Sequence, residues 1–488
     1  MHVVLERRRG FPRAQIAMRV DEALGWADTV DMHSPRSGPD MNDGEGLSSR
    51  PSPTLAEATR VWFKIGCLSF GGAAAQIAML HKAVVDEKRW VDERRFLEAL
   101  SYCTLLPGPE AQQLATYLGF ILNGVRGGVV AGLMFVLPGA AAMMGLSLLY
   151  AYGRQLSLVD GVFLGVKAAV IAIVLEALIK IAKRGLKTRF LLGAALASFL
   201  ALAFLNVDFP YVIGGAALAG AILAGTRPAW LGAARPAEAD GPSAEGQTRA
   251  ALTAALAWTA IWWAPVALAA ATLGAGHLLV EIGLFFSKLA MITFGGAYAV
   301  LAYLADAAVN DKGWVTAAEM IDGLGLAETT PGPTILVNQF AAFLAGFRAP
   351  APFGPALGGF LAAAMAVWVT FAPSFVWIFA GSPFVERFRR NVRIAGALST
   401  ITAAVTGVIG SLALTFSLGV LFKSVGKAGF GPMVLPSPDW ASLDPVVLAL
   451  ALAAGFMLFR LHRGVIETVL WLAAAGALVS QIGPLLRA

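Results

Sequence analysis

Two short triplets each occur twice in this chain of 488 residues. Phe70-Gly71-Gly72 and Phe294-Gly295-Gly296 interrupt two apolar runs, and Pro107-Gly108-Pro109 and Pro331-Gly332-Pro333 interrupt two more. A Gly-Gly pair lets the backbone turn and approach a ligand closely. Proline breaks the helix it ends, and Pro109 also suits the start of the next, where its missing N–H costs nothing. A helix restarting at such a break presents unsatisfied N–H groups and roughly half a positive charge, which is the chemistry that holds an oxyanion. Lys64 and Lys288 lie six residues before the two FGG triplets. A lysine at mid-span costs ~2.5–3.5 kcal/mol on insertion scales, so each is either a ligand-facing ammonium or one that snorkels to the interface. Lys167 lies deep in the run 158–182 and either attracts an anion or pairs with Glu176. Gln112 and Gln113 offer amide donors beside the first PGP. Glu110 falls in the first turn after Pro109, where the helix dipole favours it. Glu328, three residues before the second PGP, has Thr104 rather than an acid as its counterpart. Glu110 and Glu328 are the candidates to carry a coupling proton.

The elements that hold these residues must be membrane helices. The chain is 57% hydrophobic and 14% charged, with a mean hydropathy of +0.70, against about 25% charged for an ordinary soluble domain. That excludes a soluble enzyme, a disordered chain and a coiled coil, and predicts an all-α polytopic membrane protein. A net charge of +6 is small for the length, so no nucleic-acid partner is expected. Cys67 and Cys103 form no disulfide framework or metal motif, and the five histidines are scattered, so neither metal nor cofactor is expected. His81 reads as structural or interfacial, and Trp262 with Trp263 as an aromatic belt.

Apolar runs long enough to cross a bilayer lie near 128–152, 158–182, 189–206, 209–226, 251–273, 356–380, 393–421, 443–460 and 465–486. The predicted division is a disordered cytoplasmic tail (1–53), a first transporter repeat (54–226), a polar cytoplasmic linker (227–250), a connecting transmembrane helix (251–273) and a second repeat (274–488). Shifted by 224 residues, 17 of the 46 positions over 64–109 are identical without a gap. Loop 82–95 carries Lys82, Lys88, Arg89, Arg94 and Arg95, whereas its counterpart 306–319 carries Lys312 alone. The positive-inside rule then places the two loops on opposite sides, so the repeats have inverted topology. With the four broken segments as re-entrant hairpins, the chain has nine full spans. The amino terminus is then cytoplasmic and the carboxyl terminus periplasmic, and the basic clusters at 180–189, 387–393 and 460–463 fall inside. With every broken segment crossing fully, there are thirteen spans, and loop 82–95 moves outside. Inverted repeats with discontinuous helices and a midplane site are the pattern of secondary transporters.

At these residues the chain resembles the chromate ion transporter family in its long, two-domain bacterial form. The likeness rests on Ser69-Phe70-Gly71-Gly72, Lys88-Arg89-Trp90 and Leu105-Leu106-Pro107-Gly108-Pro109-Glu110 with Gln113-Leu114-Ala115. In the second half it rests on Thr293-Phe294-Gly295-Gly296, Asp311-Lys312-Gly313-Trp314 and Thr329-Thr330-Pro331-Gly332-Pro333. It covers roughly 55–486. Thr104 departs from the family's expected glutamine. The resemblance implies an inner-membrane protein that expels chromate and confers resistance, and that the FGG and PGP regions matter most. It implies a transporter rather than an enzyme, and no Walker A sequence is present for ATP hydrolysis. Sulfate has the same charge and shape, so sulfate or another tetrahedral oxyanion is the alternative substrate, and a passive anion channel the alternative mode. The sequence leaves open whether the chain acts as a homodimer.

Overall fold

The computed structural model describes residues 53–70, 72–153, 157–231, 248–293, 297–381, 391–431 and 433–485. The expected tail, most of the expected linker, Gly71 and the triplet Phe294-Gly295-Gly296 lie outside the described residues. Among the described residues the regular structure is helical apart from one antiparallel hairpin, β1 (Val425–Phe430) and β2 (Met433–Pro438), in the break between two late helices. Among the described residues, six helices are long and apolar enough to cross a membrane. Three shorter apolar helices, Arg189–Phe204, Pro445–Arg460 and Val465–Gln481, occupy the remaining apolar runs. Long and short helices alike carry exposed apolar side chains: Leu196 is 56% exposed, Leu256 64% and Leu470 64%. Such a surface is stable against lipid and costly against water.

The first half opens with α1 (Leu55–Leu68), capped by the Thr54 hydroxyl accepting from the Glu57 N–H. After the first FGG comes α2 (Gly72–His81), which continues into a π-helical turn, Lys82–Glu87. Lys88 Nζ then lies 3.1 Å from Glu57 Oε1. A straight helix would put residues 31 apart about 46 Å from one another, so α1 and α2 fold back to a common end. Next, α3 (Glu93–Cys103), capped by Asp92, runs to the first PGP. After it, α4 (Glu110–Gly153) breaks at Asn123 and Gly124, the latter with φ +63°. Its short arm 110–122 and long arm 125–153 lie side by side. The two arms touch at Gly119 and Gly127, where an added methyl on Gly119 would meet the Gly127 carbonyl at 2.5 Å. The Asn123 amide donates to the Pro53 carbonyl, so this turn lies at the same end as the start of α1. The half ends with α5 (Ser157–Gly185), α6 (Arg189–Phe204) and α7 (Phe209–Thr226).

Between the halves runs α8 (Thr248–Leu273). Trp262 does not join an aromatic belt. It sits in the middle of α8, 6% exposed, with its indole N–H donating to Ser287. A buried indole needs such a partner, whereas a belt residue finds one at the headgroups.

The second half repeats the plan of the first. Helices α9 (Leu278–Ile292) and α10 (Ala297–Asp306) again lead to a π turn, Ala307–Asp311. Lys312 Nζ meets Glu281 Oε1 at 2.7 Å, the counterpart of Lys88 and Glu57 at the same 224-residue shift. Then α11 (Ala317–Thr329), opened by a capping box of Thr316 and Glu319, runs to the second PGP. After a short turn at Thr334–Leu336 it is followed by α12 (Val337–Arg348). Arg348 returns to Glu319 Oε1 at 2.6 Å and to the Trp314 carbonyl at 2.9 Å, so α11 and α12 also share an end. The long helices α13 (Pro355–Gly381) and α14 (Val392–Leu421) follow, then α15 (Pro445–Gly455) and α16 (Val465–Leu485).

The halves are interlocked. In the first half α5 packs along α15 and α16 of the second, while α14 packs along α6 and α7 of the first. Small residues make these seams. Gly161 and Gly165 of α5 lie against the backbone of α16 at Gly476 and Leu472, and Gly220 of α7 lies against Gly396 of α14. Without a hydrophobic driving force between helices in lipid, close backbone approach supplies the dispersion energy that holds them.

Candidate functional site

The two PGP breaks are tied across the halves. The Gly108 N–H donates to the Thr293 carbonyl at 2.8 Å, and the Gly332 N–H donates to the Ser69 carbonyl at 2.6 Å. Ser69 and Thr293 immediately precede the two FGG triplets, so each PGP of one half is bonded to the FGG break of the other. Both glycines hold positive φ, +123° at Gly108 and +97° at Gly332. The long spans close over these breaks. Beside Pro138, Gly139 packs so tightly on the Pro331 carbonyl that a methyl there would overlap it. Beside Pro373, Ser374 lies against Gly108, where an added methyl would meet Gln113 Nε2 at 2.7 Å and Ser374 Oγ at 3.5 Å.

This crossing is polar within an apolar interior. Gln113 donates to the Pro107 carbonyl at 2.7 Å. Gln76 of α2 donates to the Gly332 carbonyl at 2.7 Å, and Gln339 of α12 to the Ala140 carbonyl at 2.8 Å. Gln112 and Thr116 bond one another, as do Asn338 and Thr370. Among the described residues, the Ser69 and Ser374 hydroxyls and the amide oxygens of Gln112, Gln113, Asn338 and Gln339 are buried with no hydrogen-bond partner. The hydroxyls can donate to an oxyanion. The amide oxygens accept, so they match water carried with the anion, and the Gln112 and Asn338 amides, which face hydroxyls, can also turn to present their NH₂ groups. A buried polar group left unmatched costs ~1–3 kcal/mol, and a cluster of them marks a place built for a polar guest.

The predicted site residues divide accordingly. Phe70, Gly72, Pro107, Gly108, Pro109, Gln112, Gln113, Pro331, Gly332 and Pro333 belong to the breaks or their first helical turns, and Gly72 carries φ +77°. Gly71, Phe294, Gly295 and Gly296 fall outside the described residues. The Gly108 and Gly332 N–H groups are spent on backbone carbonyls and are not open to a ligand. Lys64 and Lys288 are not brought to the crossing. Both are exposed on the outer faces of α1 and α9, and Lys288 rests 5.8 Å over the Tyr303 ring. Lys167 does not pair with Glu176, which bonds Lys180 one turn along α5. It meets Asp322 at 3.2 Å instead. Glu110 stands in the first turn of α4, and Glu328 is 5% exposed in the last turn of α11. His81 is structural, bonded to Glu93 at 2.6 Å and edge-on to Phe96.

Sequence reasoning passed over Gln76, Ser69, Asn338, Gln339, Ser374 and Asp322. Two signals were available. Asn338-Gln339 follows the second PGP much as Gln112-Gln113 follows the first, and Pro373-Ser374 echoes Pro138-Gly139.

The sequence profile described as "Chromate transporter" matches residues 56–221 and 280–480. The chain is 34% identical over 407 residues to the chromate transport protein of Pseudomonas aeruginosa, covering 82% of this chain and 91% of that one. It is 28% identical over 390 residues to the chromate transport protein of Cupriavidus metallidurans, covering 78% and 86%. It is 28% identical over 372 residues to a probable chromate transport protein of Synechococcus elongatus, covering 76% and 86%. No solved structure matches.

Proposed function

The chain belongs to the chromate transporter family, and from that premise we propose that it is a secondary transporter exporting chromate from the cytoplasm across the bacterial inner membrane, so conferring chromate resistance. The observation that carries this reading is the pair of reciprocal bonds, Gly108 to Thr293 and Gly332 to Ser69, which ties each PGP break to the helix end before the FGG triplet of the other half. Chromate is a tetrahedral dianion, and burying it without compensation is prohibitive. The Ser69 and Ser374 hydroxyls, the Gln112 and Asn338 amides and the dipoles of α4 and α12 supply neutral compensation at the breaks. Export is favoured by an inside-negative potential by about 4.6 kcal/mol per 100 mV for charge two, at ~2.3 for each charge. The potential therefore suffices as a driving force, and the thermodynamics do not require proton exchange.

The test is chromate accumulation in everted membrane vesicles, with and without the chain, at set membrane potentials. Potential-dependent accumulation only with the chain is the expected result, and Ser69→Ala with Ser374→Ala should reduce it at least tenfold. No accumulation, with sulfate entering intact cells that carry the chain, would replace export of chromate by sulfate uptake.

A further inference from the structure

Three side chains from three helices meet in the interior between the crossing and the end of α11 that carries Glu319. Lys167 of α5 places Nζ 3.2 Å from Asp322 Oδ1 of α11. The Tyr150 hydroxyl of α4 donates to Asp322 Oδ2 at 2.7 Å, and its ring is held edge-on by Phe163 and Phe340. Asp322 is 1% exposed, whereas the Lys167 side chain keeps 23% of its surface. Its chain neighbours Val166 and Ala168 keep 4% and 0%. Lys167 is therefore the accessible member of the pair, and the carboxylate behind it is sealed.

An ion pair in this setting is poor value as a structural brace. Its desolvation offsets most of its Coulomb energy, and an apolar pair of similar volume would hold the helices as well. Nor does the hairpin plan require it. The counterpart of Asp322 at the 224-residue shift is Glu98, which bonds the exposed Arg94 on its own helix at 3.0 Å. The buried acid thus belongs to one half alone, on the helix that runs from Glu319 to the second PGP, and its cation comes from the other half.

We infer that Lys167 and Asp322 form a proton-linked anion relay, in which a tetrahedral oxyanion docks on the Lys167 ammonium by displacing Asp322. The displaced carboxylate takes up one proton from water and remains hydrogen-bonded to Tyr150. A carboxylate stripped of its counter-charge in an apolar interior is neutralised by protonation, and linkage makes the effect reciprocal: a proton on Asp322 frees Lys167 and tightens anion binding. This relay rests on the oxyanion-transporter reading. The groups around Asp322 are consistent with it. From α5 comes Lys167, and from α4 Tyr150. On α12, Arg348 is engaged by Glu319 of α11 itself. On α16, Glu467 is engaged by Arg463, and on α14 Arg393 lies in the first turn. The turn Thr334–Leu336 brings no charge, and Glu328 is the other acid of α11.

The test uses the purified full-length chain in lipid nanodiscs with a pH-sensitive dye in weak buffer, at a pH where free chromate is fully deprotonated. Wild type should take up close to one proton for each chromate bound, and its affinity should fall by up to about tenfold per unit rise in pH. Asp322→Asn should bind chromate with no proton uptake and with less than twofold change in affinity over the same range. Where Asp322→Asn fails to fold because Lys167 is left unpaired, the neutral pair Lys167→Gln with Asp322→Asn keeps a hydrogen bond at that place. It should fold, bind chromate more weakly than wild type and take up no proton. Chromate binding without proton uptake in wild type, or uptake retained in either variant, overturns the relay and leaves the transporter reading intact. Absence of chromate binding in wild type overturns both.

Discussion

Gly108, Gly332 and Gly72 all hold positive φ, but they do not have the same surroundings. An alanine at any of them pays for a left-handed or more extreme backbone, about 1–3 kcal/mol. At Gly72 a methyl would meet nothing within 4 Å, so that strain is the whole effect. At Gly108 the methyl also meets Gln113 Nε2 at 2.7 Å, and Gln113 is tied to the Pro107 carbonyl. Gly108→Ala should therefore destabilise the purified protein by at least ~1 kcal/mol more than Gly72→Ala, read by thermal unfolding in detergent. Equal losses would mean that Gln113 yields freely and does not brace the break. Glycine and proline were legible at this scale because they act through the backbone, where a triplet is enough to announce a break. Side-chain encounters were not. The repetition of Lys64 and Lys288 left a ligand-facing and a snorkelling role equally open, and both side chains are exposed on the outer faces of their helices. Asp322 was passed over because its partner Lys167 is 155 positions away in sequence, on a different helix.

A hairpin of two half-helices needs its open end fastened, since neither arm is long enough to be fixed by the bilayer on both sides. In α11 and α12 the fastening is Arg348 on Glu319, at the surface end where the capping box also lies. Burial would raise the Glu319 carboxyl, but its bonds from Arg348 and from the Thr316 backbone outweigh burial and hold it below the usual carboxylate range. The sign follows from that direction. A carboxylate lowered by folding contributes stability above its unfolded value, about 4.3, and loses it as pH falls through the lower folded value. Glu319→Gln keeps an acceptor for the Thr316 N–H but gives up the charge. It should cost about 1 kcal/mol at neutral pH, a small figure because Arg348 is 44% exposed and screened by solvent. Unfolding midpoints of the two proteins should converge below about pH 4. A gap that persists in acid would assign the loss to packing rather than to charge. The helices themselves were legible, because each apolar run with its cap or breaker has one physical solution in lipid. The β1–β2 hairpin was not, since a short polar break between two apolar helices carries little periodicity to read.

At the scale of the whole molecule, the halves exchange packing partners: α5 leans on α15 and α16, and α14 on α6 and α7. The repeat was legible because Lys, Trp and the two triplets align in one register, which apolar bias alone does not produce. How the two copies interlock was not, because a repeat in sequence is silent on which copy packs against which. Sidedness follows from charge and from the shared ends. Lys88 on Glu57 and Asn123 on Pro53 gather the ends of α1, α2 and the short arm of α4 into one place. The basic loop 82–95 should hold that place in the cytoplasm. Lys312 on Glu281 and Arg348 on Glu319 fasten the corresponding ends of the second half, whose loop 306–319 carries one basic residue. With Cys67 and Cys103 replaced by alanine, single cysteines at Glu87 and Val125 should react with a membrane-impermeant maleimide in everted vesicles and not in intact cells. Cysteines at Asp311 and Ala349 should show the reverse. Opposite reactivity of Glu87→Cys and Val125→Cys would mean that the first half's broken segments cross the bilayer after all. Reaction of all four from one side would mean that the halves share one orientation, and an alternating-access site between inverted repeats would then have no structural basis.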